Sequence, residues 1–196
     1  CSSDLEHRSV PREKKERNSL FASLVFRSAG LREESSIEPL SSLPYPEEVE
    51  AKEKALSRFW EEAALPGRPL PLVPAPSPRG YRSTSKRRVV QRGKGFVLAF
   101  HEGDEETVDF TPSLLEPAGH TAVFRFLYER LGEKEFFGVG AALNFIIIRG
   151  SLRCSVIFNM HRADGKLIRK LKTLCEAAVA SQLPLLSGFM YLDPTR

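Results

Sequence analysis

The six prolines of "LPGRPLPLVPAPSPRG", Leu65–Gly80, divide this chain more firmly than any other feature. Each proline fixes φ and removes a backbone donor, so neither a helix nor a central strand runs through such a stretch. It reads as a stiff, extended connector crossing the surface. Apolar residues recur at helical spacing before it and at every second position after it. A helix is therefore expected on one side and a sheet on the other.

The helix is Tyr45–Ala64. Pro46 suits a first-turn position, and Glu47 and Glu48 complement the positive end of the helix dipole. Val49, Leu56, Phe59, Trp60 and Ala63 form an apolar stripe. Glu48–Lys52 and Glu50–Lys54 are i,i+4 pairs in the favourable orientation. The Phe59–Trp60 aromatics are expected in a core, their commonest use. Residues 1–44 are polar and partly irregular, with a solvated "PREKKERN" run and apolar islands. One of these, "LFASLVF", suggests a hairpin or short strand at Leu20–Arg27.

Beyond Gly80 the pattern is that of strands. Arg82, Thr84, Lys86, Arg88 and Arg92 share one face by period-two alternation. A turn at "RGKG" leads to a strand with Phe96, Leu98 and Phe100, and "HEGDEE" leads to a short strand at "TVDF". "GHTAVFRFLYERLG" reads as a helix, with Thr121 a candidate cap, Gly132 a terminator, and Val123, Phe124, Leu127 and Leu131 inward. "AALNFIIIRG" and "SLRCSVIFNMH" form the next strand pair. In the second, Leu152, Cys154, Val156, Phe158 and Met160 alternate against a wetter face. Asp164 caps a helix to about Ala180, on which Leu167, Ile168, Leu171, Cys175, Ala178 and Val179 line the apolar side. "LPLLSGFMYL" is a final strand. The order βββ-α-ββ-α-β implies an α+β fold, with an antiparallel or mixed β-sheet covered by helices. The organisation expected is an irregular segment 1–44, a helix 45–64, a connector 65–79 and a domain 80–196.

No apolar run approaches the ~20 residues of a membrane span, so no membrane is expected as a partner. The cysteines Cys1, Cys154 and Cys175 are too few and scattered for a disulfide framework, and no Cys/His spacing suggests a metal site. Cys154 and Cys175 fall on the apolar faces of a strand and a helix, so buried, reduced thiols and a cytoplasmic location are expected. The chain opens on "CSSD", which also suits the mature start of a bacterial lipoprotein.

Catalytic motifs are lacking: there is no GxGxxG after a strand, no P-loop, no HExxH and no GxSxG. His7, His101, His120 and His161 share no local motif and read as surface residues. The carboxylates of "HEGDEETVD" read as solvated turn charges. Chemistry points instead to one strand. Arg79–Lys94 holds seven basic residues and no acid. Cations on one sheet face neutralise phosphates, and Tyr81 stands ready to stack on a base or ribose. Nearby acids such as Glu102–Glu106 offer the rival reading, in which the strand is partly neutralised internally.

Four segments, in order, resemble the RNA uracil-5-methyltransferase family, whose members act on tRNA and 23S rRNA. "YPEEVEAKEKALSRFW" is similar to the family's Y-x-x-Q-L-x-x-K-x-x-x-V helix through Tyr45, Val49 and Lys52. "PSPRGYRSTSKRRV" resembles G-Y-R-N-K-x-x-F-x-V through Gly80, Tyr81, Arg82 and Val89. "VDFTPSLLEP" resembles V-D-I-x-x-C-P-L-L-x-P, and "LNFIIIRGS" resembles a strand ending in a basic residue, here Arg149. The likeness spans Tyr45 to Arg196 and implies the RNA-recognition region that precedes the methyltransferase domain. It implies S-adenosylmethionine as cofactor of the parent protein and none for this chain, which would not methylate alone. Cys154 and Cys175 do not match the family's nucleophile. Family members with an iron–sulfur cluster carry three cysteines before the Tyr45 helix and one near Ser113; these thiolates are absent here, so no cluster is expected. The resemblance and the charge pattern together nominate Tyr81, Arg82, Lys86, Arg88, Arg92 and Arg149 as RNA contacts, with tRNA or rRNA as partner. Thr84 stands where a base is common and Arg87 where an aromatic is common. The alternatives are a non-catalytic protein-interaction module and a lipoprotein domain.

Overall fold

The computed structural model describes residues 21–31, 38–102, 105–107 and 112–193. Two compact units are present, Cys1–Pro76 and Ser77–Arg196, and the boundary falls inside the proline-rich connector. Among the described residues no helix is long and apolar enough to cross a membrane.

The first unit contains a helix over residues 21–28 (α1), a 3₁₀ turn at Pro39–Ser42 and the helix Tyr45–Glu62 (α2). The strand or hairpin expected at Leu20–Arg27 is corrected to a helix over its described part. Phe21, Leu24 and Val25 stand at i, i+3 and i+4, a helical stripe, and they meet Leu40, Ala55 and Phe59 in a small core. Phe21 and Phe59 cross edge to face, their centroids 5.7 Å apart. The buried face of α2 runs through Glu48, Ala51 and Ala55. Ala63, expected inward, is instead the exposed residue that closes the helix. The Glu48–Lys52 and Glu50–Lys54 pairs form as expected, at 2.5 and 2.6 Å. The connector is extended and held by single bonds. Pro66 O accepts from Trp60 Nε1, the Glu53 carboxylate accepts from Leu72 N–H, and Tyr45 Oη accepts from Ala75 N–H.

The second unit is an α+β layer. Its strands are β1 (Thr84–Arg92), β2 (Gly95–Glu102), β3 (Glu105–Thr107), β4 (Leu143–Gly150), β5 (Cys154–Met160) and β6 (Leu185–Leu192). They form one sheet in the order β3-β2-β1-β4-β5-β6. Every neighbouring pair is antiparallel except β5 and β6, which are parallel, so the sheet is mixed. The parallel pair needs a crossover, and α5 (Gly165–Ala180) supplies it. The remaining helices are α3 (Ala118–Leu131) and the one-turn α4 (Phe137–Gly140). Of the strand expected at "TVDF", only Thr107 lies among the described residues, at the end of β3.

Helices cover one sheet face. Val89, Phe96, Leu98, Ile146, Ile148, Val156 and Phe158 from the strands meet Val123, Phe124, Leu127, Leu171 and Leu174 from the helices. Asp164 caps α5 as expected, its Oδ1 accepting from Lys166 N–H at 2.8 Å and Leu167 N–H at 2.9 Å. These bonds, that from Leu167 foremost, hold its carboxyl below the usual range. Thr121 does not cap α3. The helix starts directly after Pro117, which takes the N-cap position, and Thr121 lies in its first turn. On α5 the inward line is Leu167, Leu171, Leu174 and Ala178. Ile168 and Val179 lie on its shoulders and are exposed, 43% and 54%. Leu152, expected in the core, belongs to the turn before β5 and is 90% exposed. Gly150 makes that turn, with φ +117; a Cβ there would stand 2.2 Å from Arg153 O. Cys154 is buried and Cys175 half-buried, both free thiols. Burial pushes the Cys175 thiol up to about 11.

Candidate nucleic-acid interface

β1 alternates strictly from Thr84 to Val89: Ser85, Arg87 and Val89 are buried, while Thr84 and Lys86 are exposed and Arg88 is half-buried. The even-numbered residues therefore point away from the helices. The register then places side chains of four strands in rows on that face. One row is Thr84, Arg149, Ser155 and Ser187; the next is Lys86, Ile147, Ile157 and Phe189; the third is Arg88, Phe145, Asn159 and Tyr191. Val90 with Val97, and Arg92 with Gly95, continue it toward the β1–β2 turn. Among the described residues of these rows there is no carboxylate.

Lys86, Arg88 and Arg149 are thus neighbours on one face. Lys86 and Arg88 are separated by about 7 Å along the strand, and Arg149 stands diagonally across from Lys86. The Lys86 ammonium lies 3.7 Å from the Phe145 ring centroid, which holds it against the sheet. Arg92 lies on the same parity but at the far end of β1. Tyr81 and Arg82 precede β1. Tyr81 is 60% exposed, and Arg82 N–H donates to Leu115 O, tying this entry segment to the loop before α3. All six nominated residues therefore belong to β1, its entry or the paired end of β4. The side chains of Glu102, Glu105 and Glu106, offered above as internal neutralisers, lie outside the described residues.

Arg87 sits on the other face and is a different kind of residue. Its side chain is 1% exposed. Its Nη1 and Nη2 each donate at 2.7 Å to the two carboxylate oxygens of Glu116. The guanidinium lies 3.5 Å from the Phe100 centroid and 4.7 Å from that of Phe124. His120 is fully buried beside it, which corrects its reading as a surface residue. Its Nδ1 is 2.7 Å from Ser85 Oγ and its Nε2 2.6 Å from Gly150 O. Since Gly150 O only accepts, Nε2 carries the proton and Nδ1 accepts from the serine hydroxyl. Both ring nitrogens are occupied and no solvent reaches them, so this is a structural serine–histidine pair and not a nucleophile with its base. It clasps β1, the N-terminal turn of α3 and the β4–β5 turn together. His161, also read as a surface residue, is half-buried, with its N–H donating to Ala142 O; His101's side chain lies outside the described residues.

Burial, the largest influence, lowers the His120 pKa below its usual 6.5. The neutral ring is the native form. Above pH ~6.5 folded and unfolded states are both neutral at this site and it adds no pH dependence. Below that, the unfolded chain takes up the proton first, and stability falls by up to ~1.4 kcal/mol per pH unit until the folded-state pKa is reached. Urea denaturation at pH 7 and pH 5.5 should show that loss, and His120→Gln should remove the slope. A parallel slope in the variant would assign it to another group.

Sequence reasoning missed this clasp. The signal was available: Arg87 has the odd parity of Val89, so a charge on the core face demanded a buried partner. It also passed over Phe189 and Tyr191, whose alignment with the cations depends on the sheet order. Among the described residues, no group of three His, Cys, Asp or Glu side chains is placed to hold a metal ion. No protein-family model and no curated protein matches the sequence.

Proposed function

We propose that Ser77–Arg196 is an RNA-recognition domain from a protein resembling the RNA uracil-5-methyltransferases. In this reading the chain holds tRNA or rRNA and transfers no methyl group itself. S-adenosylmethionine belongs to the parent protein, and the setting is the cytoplasm. The observation that supports it is the open sheet face on which Lys86 and Arg149 stand diagonally across adjacent strands, with Arg88 on the same side of β1. A polyanion is the partner such a face attracts, with affinity in the micromolar class and a steep dependence on salt. Tyr81 and Arg82 extend the contact from the entry segment.

The paired change Arg82→Ala and Lys86→Ala is expected to weaken tRNA or rRNA-fragment binding several-fold in a low-salt gel shift. The slope of log K against log salt should also become shallower, by about 0.7–0.9 for each phosphate contact removed. Unchanged binding would remove β1 and its entry from the interface. The protein-interaction reading is favoured by a separate feature, the exposed apolar residues Leu186, Met190 and Leu192 of β6. A partner protein that is retained after ribonuclease treatment would favour it.

A further inference from the structure

We infer that the same sheet face reads unpaired RNA, with Phe189 and Tyr191 as a platform on which bases stack; this rests on the RNA-binding reading above. Both rings sit on β6 and are largely uncovered, 55% and 58% exposed. Their cross-strand partners, Ile157 for Phe189 and Asn159 for Tyr191, fix them on the face that carries Lys86 and Arg88. Rings left more than half exposed on a sheet carry apolar surface open to a partner, and the occupant is set by what flanks them. Across the sheet stand the Lys86 ammonium and the Arg149 guanidinium, on adjacent strands of the same face. Charge complementarity selects a polyanion with flat apolar groups, which is single-stranded nucleic acid.

The spacing fits. From β1 to β6 there are three interstrand steps, about 14 Å. Four-stranded sheets of this width stack about two or three bases on their aromatics. Ile147 and Ile157 lie between the cations and the rings, so the sugar–base portion meets an apolar floor while the backbone reaches the charges. Ser155 and Ser187 border the rings, their hydroxyls 2.8 Å apart. A duplex keeps its bases stacked on each other and offers such a platform only its phosphates. The domain therefore discriminates unpaired from paired RNA, beyond what phosphate attraction alone provides.

The test uses the intact chain and a fluorescent oligouridylate, alone and annealed to oligoadenylate, across a salt series. The single strand is expected to bind at least about tenfold tighter than the duplex. Phe189→Leu and Tyr191→Leu are each expected to lose about five- to a hundredfold of single-strand affinity, with the salt slope unchanged because no phosphate contact is removed. Phe189→Tyr and Tyr191→Phe, which keep a ring, should retain it. Circular dichroism of the leucine variants checks that they fold; a variant that does not fold passes the question to the duplex comparison and to the ring-retaining pair. Equal affinity for single strand and duplex overturns the platform. So does single-strand binding that survives both leucine changes but falls with Lys86→Ala, an outcome that leaves the RNA-binding reading standing. If instead the leucine changes leave RNA binding intact and convert a self-associated protein to monomer by light scattering, β6 is a protein-docking edge and the platform is wrong. Absence of RNA binding altogether overturns the reading on which it rests.

Discussion

Replacing Arg87 by alanine is expected to cost about 3–5 kcal/mol of folding stability, the largest loss from any single change considered above. The reason is the carboxylate left behind. Glu116 receives both of its close bonds from this guanidinium, and its side chain is 1% exposed. Water cannot enter to replace the lost donors without opening the space between β1 and the start of α3. The Phe100 and Phe124 rings that flank the guanidinium would lose their contact with it and border a cavity. The melting temperature should fall by roughly 10 °C or more. Arg87→Met combined with Glu116→Leu removes both charges and keeps the volume, and should recover most of the loss. Denaturant titration of the two variants separates the cost of an unpaired charge from the worth of the pair. If the double change is as unstable as Arg87→Ala, the pair itself, with its fixed bidentate geometry, is what the fold requires.

Much of this architecture was visible in the residues. Period-two alternation in β1 and, from Cys154 onward, in β5, the Asp164 cap and the inward line of α3 follow from local rules, and each appears where those rules put it. The errors have common causes. Phe21, Leu24 and Val25 fit a helix or a strand equally well over so short a run, and only packing on α2 decides between them. Ala63 closes α2 and stands exposed at its end, while Ile168 and Val179 flank the inward line of α5, and a local pattern does not reveal where covering neighbours stop. The clasp of Ser85, His120, Arg87 and Glu116 joins residues some thirty positions apart, and no local pattern pairs them.

The candidate interface divides the same way. The shared side of Lys86, Arg88 and Arg92 is a property of one strand and was legible in it. The arrival of Arg149 beside them, and of Phe189 and Tyr191 three strands away, depends on β1 pairing with β4 rather than remaining a simple meander edge. That pairing is what turns a basic strand into a surface with cations at one side and rings at the other.

Location, and not net charge, is the claim at the centre of this account. Two charge-reversed proteins separate these. Lys86→Glu with Arg149→Glu changes the open sheet face. Lys166→Glu with Lys172→Glu makes the same change in net charge on the exposed side of α5, across the helix layer. Neither pair touches the buried core, so both proteins should fold. The decisive measurement is the affinity of each for single-stranded RNA at one fixed, low salt concentration. The open-face variant is expected to bind roughly a hundredfold more weakly than the parent chain, and the α5 variant within about twofold of it. Equal losses in the two proteins, or none in the open-face variant, would contradict an RNA site on this sheet.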